Sequence, residues 1–232
     1  MLLQMTGFHS FLWLNCTPLC ICTMFFKFIR VIARTILAVV NGNAHYQNQD
    51  KLPEGNYILV APHRTWWDPV YMALGASPKQ FSFLAKAELF KNPILRFVLV
   101  HLNAFPVDRD KPGPSVVKRP VKMLKDSDKS LIMFPSGTRH SSELKGGMAL
   151  ISRLSKKPIV PSVYQGPTKF SQLFKRTPVI IRFGDPIDLS DIKKMDKAGL
   201  AEVERRVQGA FDQLDREIDP NFKYVAKEKN AE

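Results

Sequence analysis

Residues 62–69 read Pro-His-Arg-Thr-Trp-Trp-Asp-Pro and set a histidine, His63, five positions ahead of a carboxylate, Asp68. A carboxylate at that distance can bond one imidazole nitrogen, fix the tautomer and leave the other nitrogen free as a general base. The pair follows the apolar run Tyr57, Ile58, Leu59, Val60 and Ala61, itself preceded by Glu54-Gly55-Asn56. A short run of large and branched residues after a turn reads as a buried strand. Asp68 followed by Pro69 reads as a helix start, with Asp as N-cap and Pro at the first helical position. The loop between a strand end and a helix start is where open α/β folds put their chemistry. The plainer alternative is that Asp68 only caps its helix and His63 is an ordinary loop histidine.

Two downstream fragments have the same layout. Phe105-Pro106-Val107-Asp108-Arg109 and Phe134-Pro135-Ser136-Gly137-Thr138-Arg139 each follow a strand-like segment and end in an arginine. The elements that must position these fragments alternate. Strand-like runs fall at 56–61, 80–85, 103–107, 129–134, 157–163 and 178–183. Helix-like runs lie near 69–76, 93–101, 115–126 and 146–155, with Pro120 awkward in the third, and a last helix runs from about 196 to 217. Such alternation predicts an α/β fold with a mixed, largely parallel sheet flanked by helices.

Together with Pro161 and Gly166 in the stretch 159–166, these fragments resemble, in order and spacing, the four motifs of the glycerolipid acyltransferases. The nearest branch in pattern is the one that acylates 1-acyl-sn-glycerol-3-phosphate, or lysophosphatidate. The resemblance covers about residues 25–220. It implies transfer of an acyl group from a thioester to the sn-2 hydroxyl of lysophosphatidate, forming phosphatidate. An uncharged histidine suits removal of the hydroxyl proton as the C–O bond forms. His63 takes that role and Asp68 orients it, with no acyl-enzyme required. Backbone N–H groups of Ser136, Gly137 and Thr138 are candidate oxyanion donors, since glycine allows close approach. Arg109 and Arg139 offer planar, permanently charged donors for the substrate phosphate. Trp66 and Trp67 read as core packing or as an interfacial wall beside the acyl chains. The resemblance implies no metal and no bound cofactor. The co-substrate is an acyl thioester of either acyl-carrier protein or coenzyme A.

Two positions depart from the family pattern. The third motif usually has glutamate before Gly-Thr-Arg, and here Ser136 holds that place, with Glu143 a possible substitute. The second often carries a lysine six residues before its arginine, and here Asn103 stands there, with Lys86 or Lys91 as replacement charges. The serine opens a rival reading, a thioesterase or lipase using Ser136, His63 and Asp68. Pro135-Ser136-Gly137 is nevertheless not the Gly-x-Ser-x-Gly elbow that presents a serine nucleophile. Another lysophospholipid acceptor and a non-catalytic, basic membrane-binding protein complete the alternatives.

Composition constrains the partners. The 232 residues carry a formal charge of +13, from 34 Lys and Arg against 21 Asp and Glu. That excess favours an anionic partner such as a phospholipid surface. Nucleic acid is not expected, for there is no zinc-ligand spacing, RNP-type strand or isolated basic helix. Cys16, Cys20 and Cys22 are the only cysteines, so no disulfide framework is indicated and a reducing cytoplasm fits. Residues 1–26 carry no charged side chain, and Asn15, Thr17 and Pro18 interrupt their apolar run. Translation starting at Met24 and a membrane-dipping extension are the two readings of that segment. Over 24–40 the pattern predicts a largely apolar helix with Lys27, Arg30 and Arg34 on one narrow face, stopped by Asn41-Gly42-Asn43. Such a helix suits the interface of an anionic membrane, here the cytoplasmic face of the cell membrane, held peripherally or monotopically; the plainer alternative is an amphipathic helix packed on the protein's own core. The expected division is a membrane-associated segment over 1–45, an acyltransferase domain over 46–220 and a polar tail over 221–232.

Overall fold

The computed structural model describes residues 18–108, 113–137, 144 and 146–224. In chain order the elements are α1 (Pro18–Asn41), β1 (His45–Gln47), β2 (Ile58–Val60), α2 (Asp68–Gly75), β3 (Phe81–Lys86), α3 (Pro93–His101), β4 (Ala104–Val107), α4 (Ser115–Asp126), β5 (Ser130–Met133), α5 (Gly147–Ser155), β6 (Ile159–Gln165), α6 (Phe170–Leu173), β7 (Ile180–Phe183) and α7 (Lys197–Ile218). The strands form one sheet in the order β1-β7-β6-β2-β5-β3-β4. β2 to β6 run parallel to one another, whereas β7 is antiparallel to β6 and β1 is parallel to β7. The mixed, largely parallel α/β sheet is therefore the architecture that the alternating pattern predicts.

Central strands covered on both faces should read as continuous apolar runs, and every residue of β2, β5 and β6 is buried. Alternation along β2 then divides the core. Leu59 faces a cluster with Tyr71, Met72, Tyr164, Val179 and Phe183. Ile58 and Val60 face another, built with Leu124, Met148, Ile151, Val203, Val207 and Phe211 from α4, α5 and α7. In α7 the buried residues Val203, Val207, Phe211 and Leu214 make the expected helical stripe, and the Asp196 side chain caps the helix on Gly199 N–H at 3.0 Å.

α1 begins before the predicted 24–40 and ends where predicted. Gly42 takes φ +94°, a left-handed conformation that suits glycine, and returns its N–H to Ala38 O at 3.0 Å. One side of α1 belongs to the core, with Phe26 buried and Leu37 and Val40 packed on the Leu59 cluster. Asn41 Nδ2 donates to Thr177 O at 2.9 Å. The other side leaves Met24, Phe28, Val31, Ile36 and Val39 exposed. Arg30 turns inward to donate to Pro78 O at 3.1 Å, so the basic stripe is not presented as a whole to solvent. Among the described residues no helix is long and apolar enough to cross a membrane.

Gly75 closes α2 under the ring of Tyr46. A Cβ there would lie 2.5 Å from Tyr46 Cδ1 and 3.0 Å from Phe183 Cζ. Gly→Ala in a helix normally gains up to about 1 kcal/mol. At Gly75 the sign should reverse, with Gly75→Ala costing about 1–3 kcal/mol through overpacking. Urea unfolding of the two proteins checks this, and a stabilised variant would contradict the packing described.

Candidate active site

Because β2 to β6 share a direction, their carboxyl ends lie along one edge of the sheet. His63 follows β2 at the centre, and the turn at Phe134–Gly137 follows β5 beside it. Lys86 ends β3 and Asp108 follows β4 farther out, while Gln165 ends β6 on the opposite flank. All four sequence motifs thus deliver their chain to the same edge, the crevice where open α/β sheets bind ligands.

Asp68 is wholly buried, and its oxygens are filled from the loop it closes. Oδ2 accepts the backbone N–H groups of Arg64 and Thr65, each at 2.7 Å, and Oδ1 accepts the Thr65 hydroxyl. His63 Nδ1 stands 3.4 Å from Oδ2. The expectation that Asp68 caps α2 is corrected here. Trp67 is the N-cap residue, Asp68 lies within the helix, and its side chain reaches back to the preceding loop instead of forward into the first turn. The contact to His63 is longer than an ordinary hydrogen bond. The imidazole stacks on Phe134, with ring centroids 4.2 Å apart, so β5 supports one face of the ring while Asp68 addresses Nδ1. Nε2 is then the nitrogen available to a substrate hydroxyl.

The next residue points the other way. Arg64 is buried and donates through Nη1 to Tyr164 O at 2.5 Å and Asp215 Oδ1 at 3.0 Å, and through Nη2 to Asp215 Oδ2. Gln165 Nε2 donates to Asp215 Oδ1 at 3.1 Å and to its carbonyl at 2.9 Å. The Phe222 and Tyr224 rings lie 4.8 and 5.4 Å from the guanidinium carbon. Arg64 therefore pins the His63 loop to β6, to the end of α7 and to a segment assigned from sequence to a polar tail. Trp67 adds a second tie, because its Nε1 donates to Tyr164 Oη at 3.0 Å and Tyr164 Oη donates to Pro167 O at 2.9 Å. Burial raises the Tyr164 pKa well above the ordinary phenol value, so the hydroxyl stays protonated and able to donate. The two tryptophans part company: Trp67 is core, and Trp66 is 59% exposed.

At the third motif the turn differs from the expectation. Gly137 takes φ +69° and gives its N–H to Phe134 O at 2.9 Å. That N–H is committed to the turn and is not an oxyanion donor in this conformation. Ser136 is buried in the same turn. Thr138, Arg139, Glu143 and Arg109 lie outside the described residues. Asn103, which stands in place of the usual lysine, precedes β4 and so lies at the opposite edge of the sheet from His63. It adopts φ +59°, a conformation asparagine tolerates well. Lys86 is on the site edge, paired in register with Val107 and 3.3 Å from Glu88.

Sequence reasoning missed Arg64, Phe134, Tyr164 and Asp215 as supports of the site. Arg64 had a usable signal, since it sits between a buried strand and a buried carboxylate. Asp215 had none, lying in a helix rich in charge.

A histidine beside a buried carboxylate thus stands at the carboxyl end of a central parallel strand, where open α/β sheets bind ligands. The chain belongs to the Acyltransferase family, whose family model matches residues 43–165, and it is an acyltransferase. It is 52% identical over 196 residues to the 1-acyl-sn-glycerol-3-phosphate acyltransferase of Streptococcus pneumoniae, covering 84% of this chain and 74% of that one. Its identity to the Bacillus subtilis protein of the same name is 32% over 197 residues, covering 84% and 98%. The fold matches the crystal structure of the 1-acyl-sn-glycerophosphate (LPA) acyltransferase PlsC from Thermotoga maritima, with a TM-score of 0.63 at 18% identity over 86% of this chain and 81% of that one.

Three substitutions separate the roles found here. Asp68→Asn can keep one oxygen on the two backbone N–H groups, so it should fold while losing turnover. Asp68→Ala leaves those N–H groups buried and unpaired and should cost roughly 1–3 kcal/mol for each. Arg64→Met strands the Asp215 carboxylate and should destabilise the protein by about 3–5 kcal/mol. Thermal unfolding beside initial rates distinguishes these outcomes.

Proposed function

We propose that this acyltransferase moves an acyl group from a thioester to the sn-2 hydroxyl of 1-acyl-sn-glycerol-3-phosphate, giving phosphatidate. The observation that carries the reading is His63, set between Asp68 and Phe134 at the carboxyl edge of β2. The names of the Streptococcus pneumoniae and Bacillus subtilis relatives support the choice of acceptor. His63 Nε2 takes the hydroxyl proton as the oxygen attacks the thioester carbonyl. The tetrahedral intermediate collapses, the C–S bond breaks, and the proton passes from His63 to the departing thiolate. Atoms and charge balance with no cofactor, and the donor is an acyl thioester of acyl-carrier protein or coenzyme A. Asp68 keeps Nδ1 in the donating tautomer and offsets the positive charge that forms on the ring.

The acceptor phosphate calls for cations at the same edge. On sequence grounds Arg109 and Arg139 supply them, and Lys86 stands beside the strand that leads into Arg109. The substrate and product are amphiphiles, which directs the enzyme to a lipid surface, the cytoplasmic face of the cell membrane. Support comes from the exposed apolar side of α1, bordered by exposed Lys27 and Arg34. α3 extends that surface with exposed Ile94, Phe97 and Val100, joined to α1 by an edge-on contact between Phe25 and Phe97 at 5.9 Å. Such a helix lies in the interface with its apolar side among the acyl chains.

His63→Ala should lower kcat by about 10²–10⁴-fold with the fold intact. Thiol release from paired donors and acceptors measures it, and near-normal turnover would sink the mechanism. Arg109→Ala or Arg139→Ala should cost about 10–100-fold in kcat/KM for lysophosphatidate, the worth of charged hydrogen bonds. Lys118→Ala, on the exposed side of α4, should change little. Equal effects from all three would mean that only bulk positive charge matters.

A further inference from the structure

Trp66, three residues downstream of the proposed base, forms an exposed aromatic cluster with Phe170 and Phe174. They are 59%, 57% and 59% exposed, although aromatic rings of this size usually find cover. Trp66 stacks on Phe170 with centroids 6.5 Å apart, and Phe170 meets Phe174 edge-on at 5.3 Å. Phe170 and Phe174 stand one turn apart, on the same side of α6, while Leu173 is buried and roots the helix in the core. Gln172 Oε1 accepts the N–H groups of Thr168 and Lys169 at 3.0 and 3.1 Å and so fixes the entry into that turn. The Trp67–Tyr164–Pro167 hydrogen-bond chain ties the His63 loop to the same segment. The rings are thus built on a braced support.

Their surroundings select the occupant. Lys169, Lys175 and Arg176 are exposed, and no Asp or Glu occurs between Gly166 and Gly184. Aromatic rings among basic side chains match the boundary between acyl chains and anionic head groups. The Asn41–Thr177 hydrogen bond brings the end of α1, whose exposed side is apolar, to the residues just after α6.

We infer that Trp66, Phe170 and Phe174, ringed by Lys169, Lys175 and Arg176, are a second phospholipid contact, separate from α1, that seats the mouth of the site on an anionic bilayer. The inference rests on the membrane reading above. α1 supplies attachment. The aromatic cluster sets the orientation, holding the carboxyl edge of the sheet against the surface from which the acceptor arrives.

The test uses the full chain, acyl thioesters of coenzyme A and of acyl-carrier protein in parallel, and lysophosphatidate in two forms: long-chain in phosphatidylglycerol-containing vesicles, and short-chain as a dissolved monomer. Phe170→Ser/Phe174→Ser should lower turnover of the vesicle-borne acceptor about tenfold and leave the monomeric one within about twofold, because only interfacial seating is lost. The double variant should still float with vesicles through α1. The emission added by Phe170→Trp should be quenched by brominated lipids, which keeps the idea testable if the double variant folds poorly. Equal losses on both acceptors would make the cluster part of the substrate pocket or the fold and overturn the inference. An unquenched Phe170→Trp, or no change on vesicles, would also overturn it. A loss with monomeric acceptor that appears only when the donor is acyl-carrier protein would assign the surface to that protein instead. Wild-type enzyme that turns over monomer but never floats would remove the membrane reading itself, a result distinct from failure of the cluster alone.

Discussion

A buried carboxylate is costly unless its oxygens are occupied, and the site is organised around how Asp68 occupies them. Two backbone N–H groups and a hydroxyl come from Arg64 and Thr65, four and three positions before it, so the carboxylate folds the chain between β2 and α2 into a fixed loop. His63, one residue ahead of those donors, is carried to 3.4 Å from the same oxygen. One group therefore builds the loop and faces the proposed base. The spacing of His63 and Asp68 is the length of chain needed for both.

The loop is also held from outside. Arg64 crosses behind His63 to a carboxylate on α7 and a carbonyl on β6, and Trp67 reaches the Tyr164 hydroxyl on that same strand. Phe134 supports the imidazole ring from β5. The base thus takes its position from both neighbours of its own strand. In the proposed reaction such support matters, because misplacement of a reacting group raises the barrier steeply.

The strands of the parallel sheet were legible because strands covered on both faces leave unbroken apolar runs, as at 57–61 and 131–133. β1 was not, since His45-Tyr46-Gln47 is too short and polar to show a period, and its pairing with β7 is decided by tertiary contact. Asp-Pro at 68–69 has two physical readings, a forward cap or a closure of the preceding loop, and only geometry separates them. Glycine at 137 suggests close backbone approach, whereas its positive φ makes a turn that consumes its own N–H. The role of Arg64 is hard to read locally, because arginine is usually a surface residue and its partner Asp215 lies 151 residues away. Local pattern places the motifs along the sheet edge. It does not report long-range ion pairs or how donors are shared.

The central claim is that the acceptor hydroxyl, deprotonated by His63, attacks the thioester directly. Mixing stoichiometric enzyme with a labelled acyl thioester before adding lysophosphatidate tests this most directly. The account predicts no rapid release of thiol and no label on the protein until the acceptor arrives, then release in step with phosphatidate. A burst of one thiol per enzyme without acceptor, with the label held on Ser136, would contradict it.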